Sequence, residues 1–299
     1  MEKTQEVRNR IAKLCGYPTG HETLVATCGL YDAYFAGNVG SRENRSAGAS
    51  WRARHAPGKH HAAFEYAISQ GVDVLELDLG ITKDGVVVVS HDSFLKAPIC
   101  KGPGEQAVIY KSTLAELRQW DCGAIQNPLF KTQNTVPGTR IPTLDEVFGL
   151  ASKGKFRFNI ETKIDPREPD MTAPPAEFAR RTLEVIRKHR LESRVMIQSF
   201  DFRTLHEMKK LAPEIALVAL YSGPARSFVE IAKEAGADTI SPEYKLVTSE
   251  EVKTAHAAGL KVVPWTPNQP QEWARLISAG VDAIITDDPA GLIAYLRQK

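Results

Sequence analysis

From residue 72 onward, short β-branched runs alternate with amphipathic helical stretches, and this regular alternation limits the possible folds more than any other feature. The extended candidates are VDVLELDLGIT, GVVVVSHD, FRFNIETKI, RVMIQSF, IALVALYS, DTISPEY, LKVVPWT and DAIITDD. Between them fall helical patterns over residues 115–120, 144–151, 176–189, 201–211, 225–235, 249–258 and 271–279. Thr143 before Leu-Asp-Glu and Thr248 before Ser-Glu-Glu have the chemistry of helix N-caps. EAGAD, AAGLK and SAGVD supply glycine stops. Strands joined through helices pair in parallel, and the number of units predicts an α/β chain closed into a (β/α)₈ barrel. Residues 96–142, with their Pro, Gly, Asn and Gln content, interrupt the pattern. They read as an insertion after the second barrel strand, carrying one helix; long excursions of this kind are usually lids or small subdomains. The expected division is an atypical, poorly ordered N-terminal region over residues 1–61 and a barrel domain over residues 62–299.

In such a barrel, chemistry collects at the C-terminal ends of the strands. The segment ELDLGITKDGVVVVSHD sets Glu76 and Asp78 two residues apart on an apolar strand, so both face one side. Buried paired carboxylates need compensating positive charge, and an oxygen-only donor set suits a hard divalent cation, Ca²⁺ or Mg²⁺. Glu161 and Lys163 repeat the spacing on another strand, which adds a third metal-ligating carboxylate and a cation for an anionic substrate group. His91, at the end of VVVVSHD, is a proton carrier. Gln198 with Ser199, Glu243 with Tyr244, Trp265 with Asn268, and Thr286 with Asp287 also fall at strand ends. Plain structural readings stand beside these: Glu161–Lys163 as an ordinary ion pair, Trp265 as core, and Asp287 and Asp288 as structural groups.

The chain carries 38 Lys and Arg against 36 Asp and Glu, formally +2, a balance that argues against a nucleic-acid partner. No apolar run reaches the length of a transmembrane helix, and the start MEKTQEVRNRIAKLCGYPTG lacks the apolar centre of a secretory signal. As written, the chain is expected in the cytoplasm. On that ground Cys100 and Cys122 are expected to be free or buried thiols, with a bridge between them as the alternative for an exported protein. No oligomeric state is implied.

The ordered set AAFEYAISQGVDVLELDLGITKDGVVVVSHD, RIPTLDEVF, FNIETK, IQSFD, VVPWTPN and GVDAIITDDP resembles the glycerophosphodiester phosphodiesterases over roughly four-fifths of the chain. The resemblance implies a metal-dependent (β/α)₈ barrel that hydrolyses glycerophosphodiesters, small-molecule substrates, to an alcohol and glycerol phosphate. It implies Glu76, Asp78 and Glu161 as metal ligands and His91 as one of two catalytic histidines. It further implies Lys163 as a phosphate contact, with Gln198 and Trp265 on the substrate side.

The N-terminal region departs from that pattern. The family's first strand ends in His-Arg-Gly, followed five residues later by Pro-Glu-Asn-Thr. Here Ala49, Ser50 and Trp51 stand for the first motif, and Gly58, Lys59 and His60 follow Pro57 in the second. With suitable codons, a one-nucleotide shift in reading frame recovers both motifs at the family's spacing. The region up to about His61 therefore reads as frame-shifted, by sequencing error or mutation, which would also have removed any signal peptide of a periplasmic or secreted protein. His55, His60 and His61 are then accidents of translation. The first strand is expected to be missing or improvised, with residues 22–30 as one source. Loss of one catalytic histidine predicts impaired hydrolysis. Two other readings are a catalytically inactive barrel that binds metal or phosphodiester, and a related lysophospholipid phosphodiesterase.

Overall fold

The computed structural model describes residues 46–50, 61–97, 99–126 and 135–298, with side chains from residue 63 onward. Eleven strands are present among them: β1 (Ser46–Ser50), β2 (Val74–Ile81), β3 (Val87–Val89), β4 (Phe94–Lys96), β5 (Gln106–Val108), β6 (Arg157–Thr162), β7 (Val195–Ser199), β8 (Ala216–Tyr221), β9 (Thr239–Pro242), β10 (Lys261–Val262) and β11 (Ala283–Thr286). The main sheet runs in the hydrogen-bonded order β10-β9-β8-β7-β6-β2-β1-β11, and its pairings along this path are parallel. Its two ends are linked: Asp282 N–H donates to Val262 O and Ile285 N–H to Pro264 O, each at 3.0 Å, beside a parallel bridge between Trp265 and Ile285. The structure is the expected (β/α)₈ barrel, and its chemistry-bearing end is the C-terminal end of these strands.

The strands are hydrophobic because both their faces are covered. Leu75, Leu77, Leu79, Phe158, Ile160, Val195, Ile197 and Ile240 are all essentially inaccessible. Helices Pro175–His189, Phe202–Leu211 and Phe228–Ala235 turn one apolar stripe inward, with Phe178, Ile186, Leu205, Met208, Phe228 and Ile231 buried. The N-caps foreseen at Thr143 and Thr248 are made: each side chain accepts from the backbone N–H three residues on. Gly236 ends its helix at φ +64°, a conformation that would strain a residue with a Cβ. The C-terminal helix Pro289–Arg297 and the small β4–β5 sheet have no counterpart in the sequence reading.

The first strand is not missing. Ser46–Ser50 pairs in parallel with β11 on one side and β2 on the other, with Ser50 opposite Glu76. It occupies the place where the sequence reading looks for a strand ending in His-Arg-Gly. Residues 22–30, the other candidate, lie outside the described residues.

The insertion leaves and rejoins the barrel at one point. β3 pairs antiparallel with β2, and Val89 N–H donates to Pro142 O at 2.8 Å beside a Val88–Thr143 bridge. A long excursion with adjoining ends adds little loop entropy per added residue. It has its own core of Val88, Leu95, Cys100, Ile109, Leu117, Trp120, Cys122 and Ile141. Cys100 and Cys122 are joined in a disulfide, which corrects the expectation of free thiols. Lys101 and Asp121 exchange two backbone hydrogen bonds of 2.7 Å immediately beside it, so the cross-link and the bridge hold the same two segments.

Candidate metal centre

Glu76 and Asp78 lie on β2, and Glu161 lies on β6, which pairs with β2 so that Asp78 and Glu161 are directly opposite. The period-two alternation sends Glu76 and Asp78 to the same face. One carboxylate oxygen from each of the three residues falls within 4.8 Å of the others, and all three residues are buried. The apolar residues between them (Leu75, Leu77, Ile160) face outward under the helices and fix the strand register. Lys163, just past the end of β6, reaches back: Nζ is 3.0 Å from Glu161 Oε1 and 3.3 Å from Asp78 Oδ1. The sequence-predicted Glu161–Lys163 pair is therefore part of this cluster rather than a separate surface pair.

The electrostatics are unbalanced. Three carboxylates face one ammonium, leaving a surplus near −2 if all are ionised, which a divalent cation would neutralise. Burial, together with the neighbouring Asp78 charge and against the pull of Lys163, pushes the Glu161 carboxyl up to about 8. Burial opposes the Lys163 charge, but Asp78 and Glu161 outweigh it and hold the ammonium above the ordinary lysine value. An all-oxygen, buried, negatively surplus donor set fits a hard divalent cation.

A pH dependence follows. The cation-free folded protein keeps a proton on Glu161 that an unfolded chain would release near its ordinary value. Its stability therefore falls as pH rises from about 4.5 towards about 8. A cation must displace that proton, so cation affinity should rise over the same interval and level off above it. Calorimetric titration in two buffers of different ionisation enthalpy should detect up to one proton released per cation near neutral pH, and none well above pH 8. A pH-independent affinity would contradict this assignment.

Gln198, on β7 opposite Glu161, is 1% exposed and donates from Nε2 to Glu76 Oε1 at 2.8 Å. His91 follows Ser90, whose N–H donates to the Asp78 carbonyl at 2.9 Å. This contact ties the loop carrying the histidine to the strand carrying two ligands. His91 Nδ1 lies 2.7 Å from Asp92 Oδ1, and both side chains are about one-third exposed. Trp265 is fixed by its indole N–H to Ser241 O at 2.9 Å and meets Phe200 edge to face, with centroids 5.6 Å apart. Phe200, just beyond β7, is 41% exposed.

The residues that sequence reasoning set aside as structural do act so. Asp288 accepts from Gly291 N–H and caps the last helix. Asn268 ties Thr286 and Asp287 together through both ends of its amide. Two residues were missed. Asn159, inside the FNIETK run, lies two positions before Glu161 and hence on its face, a signal available from alternation alone. Phe200 follows Gln198 and Ser199 in IQSFD but draws attention only through its exposure.

The sequence pattern described as Glycerophosphoryl diester phosphodiesterase family matches residues 56–291. A glycerophosphodiester phosphodiesterase of Caldanaerobacter subterraneus subsp. tengcongensis is 33% identical over 245 residues, covering 82% of this chain and 94% of the relative. A solved structure from Silicibacter pomeroyi, of a protein provisionally named as a glycerophosphoryl diester phosphodiesterase, superposes with a TM-score of 0.79. It has 29% identity and covers 85% of this chain and 93% of that one. A phosphodiesterase from Oleispira antarctica, solved in complex with the product sn-glycerol-3-phosphate, gives a TM-score of 0.71 and 26% identity. Coverage there is 84% of this chain and 96% of that one.

Proposed function

The chain belongs to the glycerophosphoryl diester phosphodiesterase family, and from that premise we propose a metal-dependent hydrolysis of glycerophosphodiesters to an alcohol and glycerol phosphate. The observation that carries the reading is the convergence of Glu76, Asp78 and Glu161 within 4.8 Å, in a chain of this family. These three residues would hold the cation, Ca²⁺ or Mg²⁺. When bound, it would neutralise the phosphodiester and lower the pKa of the attacking hydroxyl. Lys163 would add a positive charge towards the same phosphate, and Trp265 would wall the pocket. Gln198 contributes through Glu76. The Asp92 carboxylate at His91 Nδ1 can only accept, so Nδ1 would carry a proton and Nε2 would be the nitrogen that exchanges one. As an imidazolium, His91 would give its Nε2 proton to the leaving alkoxide as the bond from phosphorus to that oxygen breaks. The attacking hydroxyl would form the new bond and release its proton to solvent in the place of a second proton carrier. The product bound to the Oleispira protein supports glycerol phosphate as the phosphorus-containing product.

Phosphorus NMR of the purified chain incubated with glycerophosphocholine and Ca²⁺ or Mg²⁺ tests the reading. The expected result is cation-dependent appearance of a glycerol phosphate monoester signal, with free choline appearing in the matching proton spectrum. Cation binding with no product, even in a chain given back the missing motifs, would leave a binding barrel in its place.

The reading includes impairment. Ala49–Ser50–Trp51 stands where the family resemblance calls for His-Arg-Gly, so those positions carry neither the second proton carrier nor the phosphate-binding guanidinium. We attribute this to a shifted reading frame up to about residue 61. The nucleotide sequence over codons 40 to 62 decides it: the offset frame must encode both motifs. Among the described residues no helix is long and apolar enough to cross a membrane. The Cys100–Cys122 bridge supports an oxidising compartment.

A further inference from the structure

We propose that Asn159 and Gln198 form a two-amide relay that positions Glu76 for the cation, an inference that rests on the metal-site reading above. Asn159 sits opposite Glu76 across the β2–β6 pairing, and Gln198 sits opposite Glu161 across β6–β7. Asn159 Nδ2 donates to Gln198 Oε1 at 2.8 Å, and Gln198 Nε2 donates to Glu76 Oε1 at 2.8 Å. The three residues are 5%, 1% and 7% exposed.

The direction of the chain follows from its end. An ionised carboxylate only accepts hydrogen bonds, so Gln198 must turn its NH₂ to Glu76. Its carbonyl then faces Asn159, which must answer with its own NH₂. Were Gln198 to flip, its carbonyl would meet the carboxylate oxygen and repel it. Asn159 thus acts on Glu76 through Gln198, as a positioning residue rather than a cation ligand.

Two observations argue that this relay is more than packing. Asn159 Oδ1 is buried and has no hydrogen-bond partner among the described residues. A partly satisfied polar chain in a barrel interior is less stable than an apolar pair of the same shape, so its presence calls for a compensating role. The second is the kind of donor used. Asp78 and Glu161 are oriented by the Lys163 ammonium, which also neutralises charge. Gln198 holds Glu76 Oε1 with a neutral amide, which fixes that oxygen without bringing a positive charge of its own to compete with the cation. Hydrogen bonds behind metal ligands commonly set affinity in this way.

The test measures Ca²⁺ affinity by calorimetry, and the melting temperature of the cation-free protein, on the full chain and on Asn159→Leu, Gln198→Leu and the double variant. Thr204→Val serves as control: it removes a buried hydroxyl that bonds Thr162 on the same strand but lies outside the relay. Each relay substitution should weaken Ca²⁺ binding about 10- to 100-fold, and the double variant should bind no more weakly than Gln198→Leu alone. Thr204→Val should lower the melting temperature and leave affinity in place. Asn159→Ser withdraws the amide without burying an apolar group against the polar neighbours and gives the same readout if the leucine variant does not fold. Unchanged affinity in Asn159→Leu or Asn159→Ser, or losses that multiply in the double variant, would overturn the relay. No Ca²⁺ binding by the parent chain would instead overturn the metal-site reading on which it stands.

Discussion

Replacing Ala49, Ser50 and Trp51 by His, Arg and Gly, together with Gly58→Glu, Lys59→Asn and His60→Thr, is expected to raise kcat/KM for glycerophosphocholine by about 10²- to 10⁴-fold. That range is the usual contribution of one positioned acid or base, and the restored arginine would add phosphate binding. The structure gives the restoration a physical place. Ser46–Ser50 is hydrogen-bonded directly to the strand of Glu76 and Asp78, with Ser50 opposite Glu76. Side chains returned to the end of this strand therefore enter beside the strand that bears two ligands. His91 belongs to the loop that follows β3, tied to β2 from its other end by the Ser90–Asp78 backbone bond. A parent chain as active as its restored variant would show that the altered region is not where the second proton carrier belongs.

The second large effect comes from the cluster itself. In the restored background, Asp78→Asn should lower kcat/KM by about 10³-fold or more, since a bound cation supplies several kcal/mol of charge stabilisation. Its effect on stability should run the other way. Asp78 is one of three buried carboxylates facing one ammonium, and its charge helps push Glu161 up to about 8. Removing that charge relieves repulsion, so the cation-free Asp78→Asn protein should melt no lower than its parent, and Glu161 should titrate closer to its ordinary value. Such opposed changes mark a site held together for function at the expense of the fold. Loss of activity with a matching loss of stability would instead make Asp78 a structural residue whose removal unfolds the barrel end.

The legible parts of the sequence were those fixed by local physics. β2 and β6 announce themselves by apolar residues at alternate positions, and Glu76 and Asp78, two residues apart on β2, announce a shared face. Thr143 and Thr248 could be read as caps because a hydroxyl before an acidic first turn has one obvious use. The parts that escaped depend on long-range pairing. Ser46–Ser50, SAGAS, has no β-branched or aromatic residue to mark it as a strand, and only its two neighbours make it one. The role of Asn159 depends on which residue of β7 stands beside it, a register that no single strand discloses. Cys100 and Cys122 are separated by 22 residues, and their pairing rests on the insertion folding around Trp120 and Ile109.

A crystal of the cation-loaded chain, grown with Mn²⁺ as a scattering substitute, would show whether the three carboxylates hold the cation. The expected result is a single strong anomalous peak bounded by oxygens of Glu76, Asp78 and Glu161. A peak coordinated elsewhere, or none at saturating Mn²⁺ with the three carboxylates still together, would contradict it.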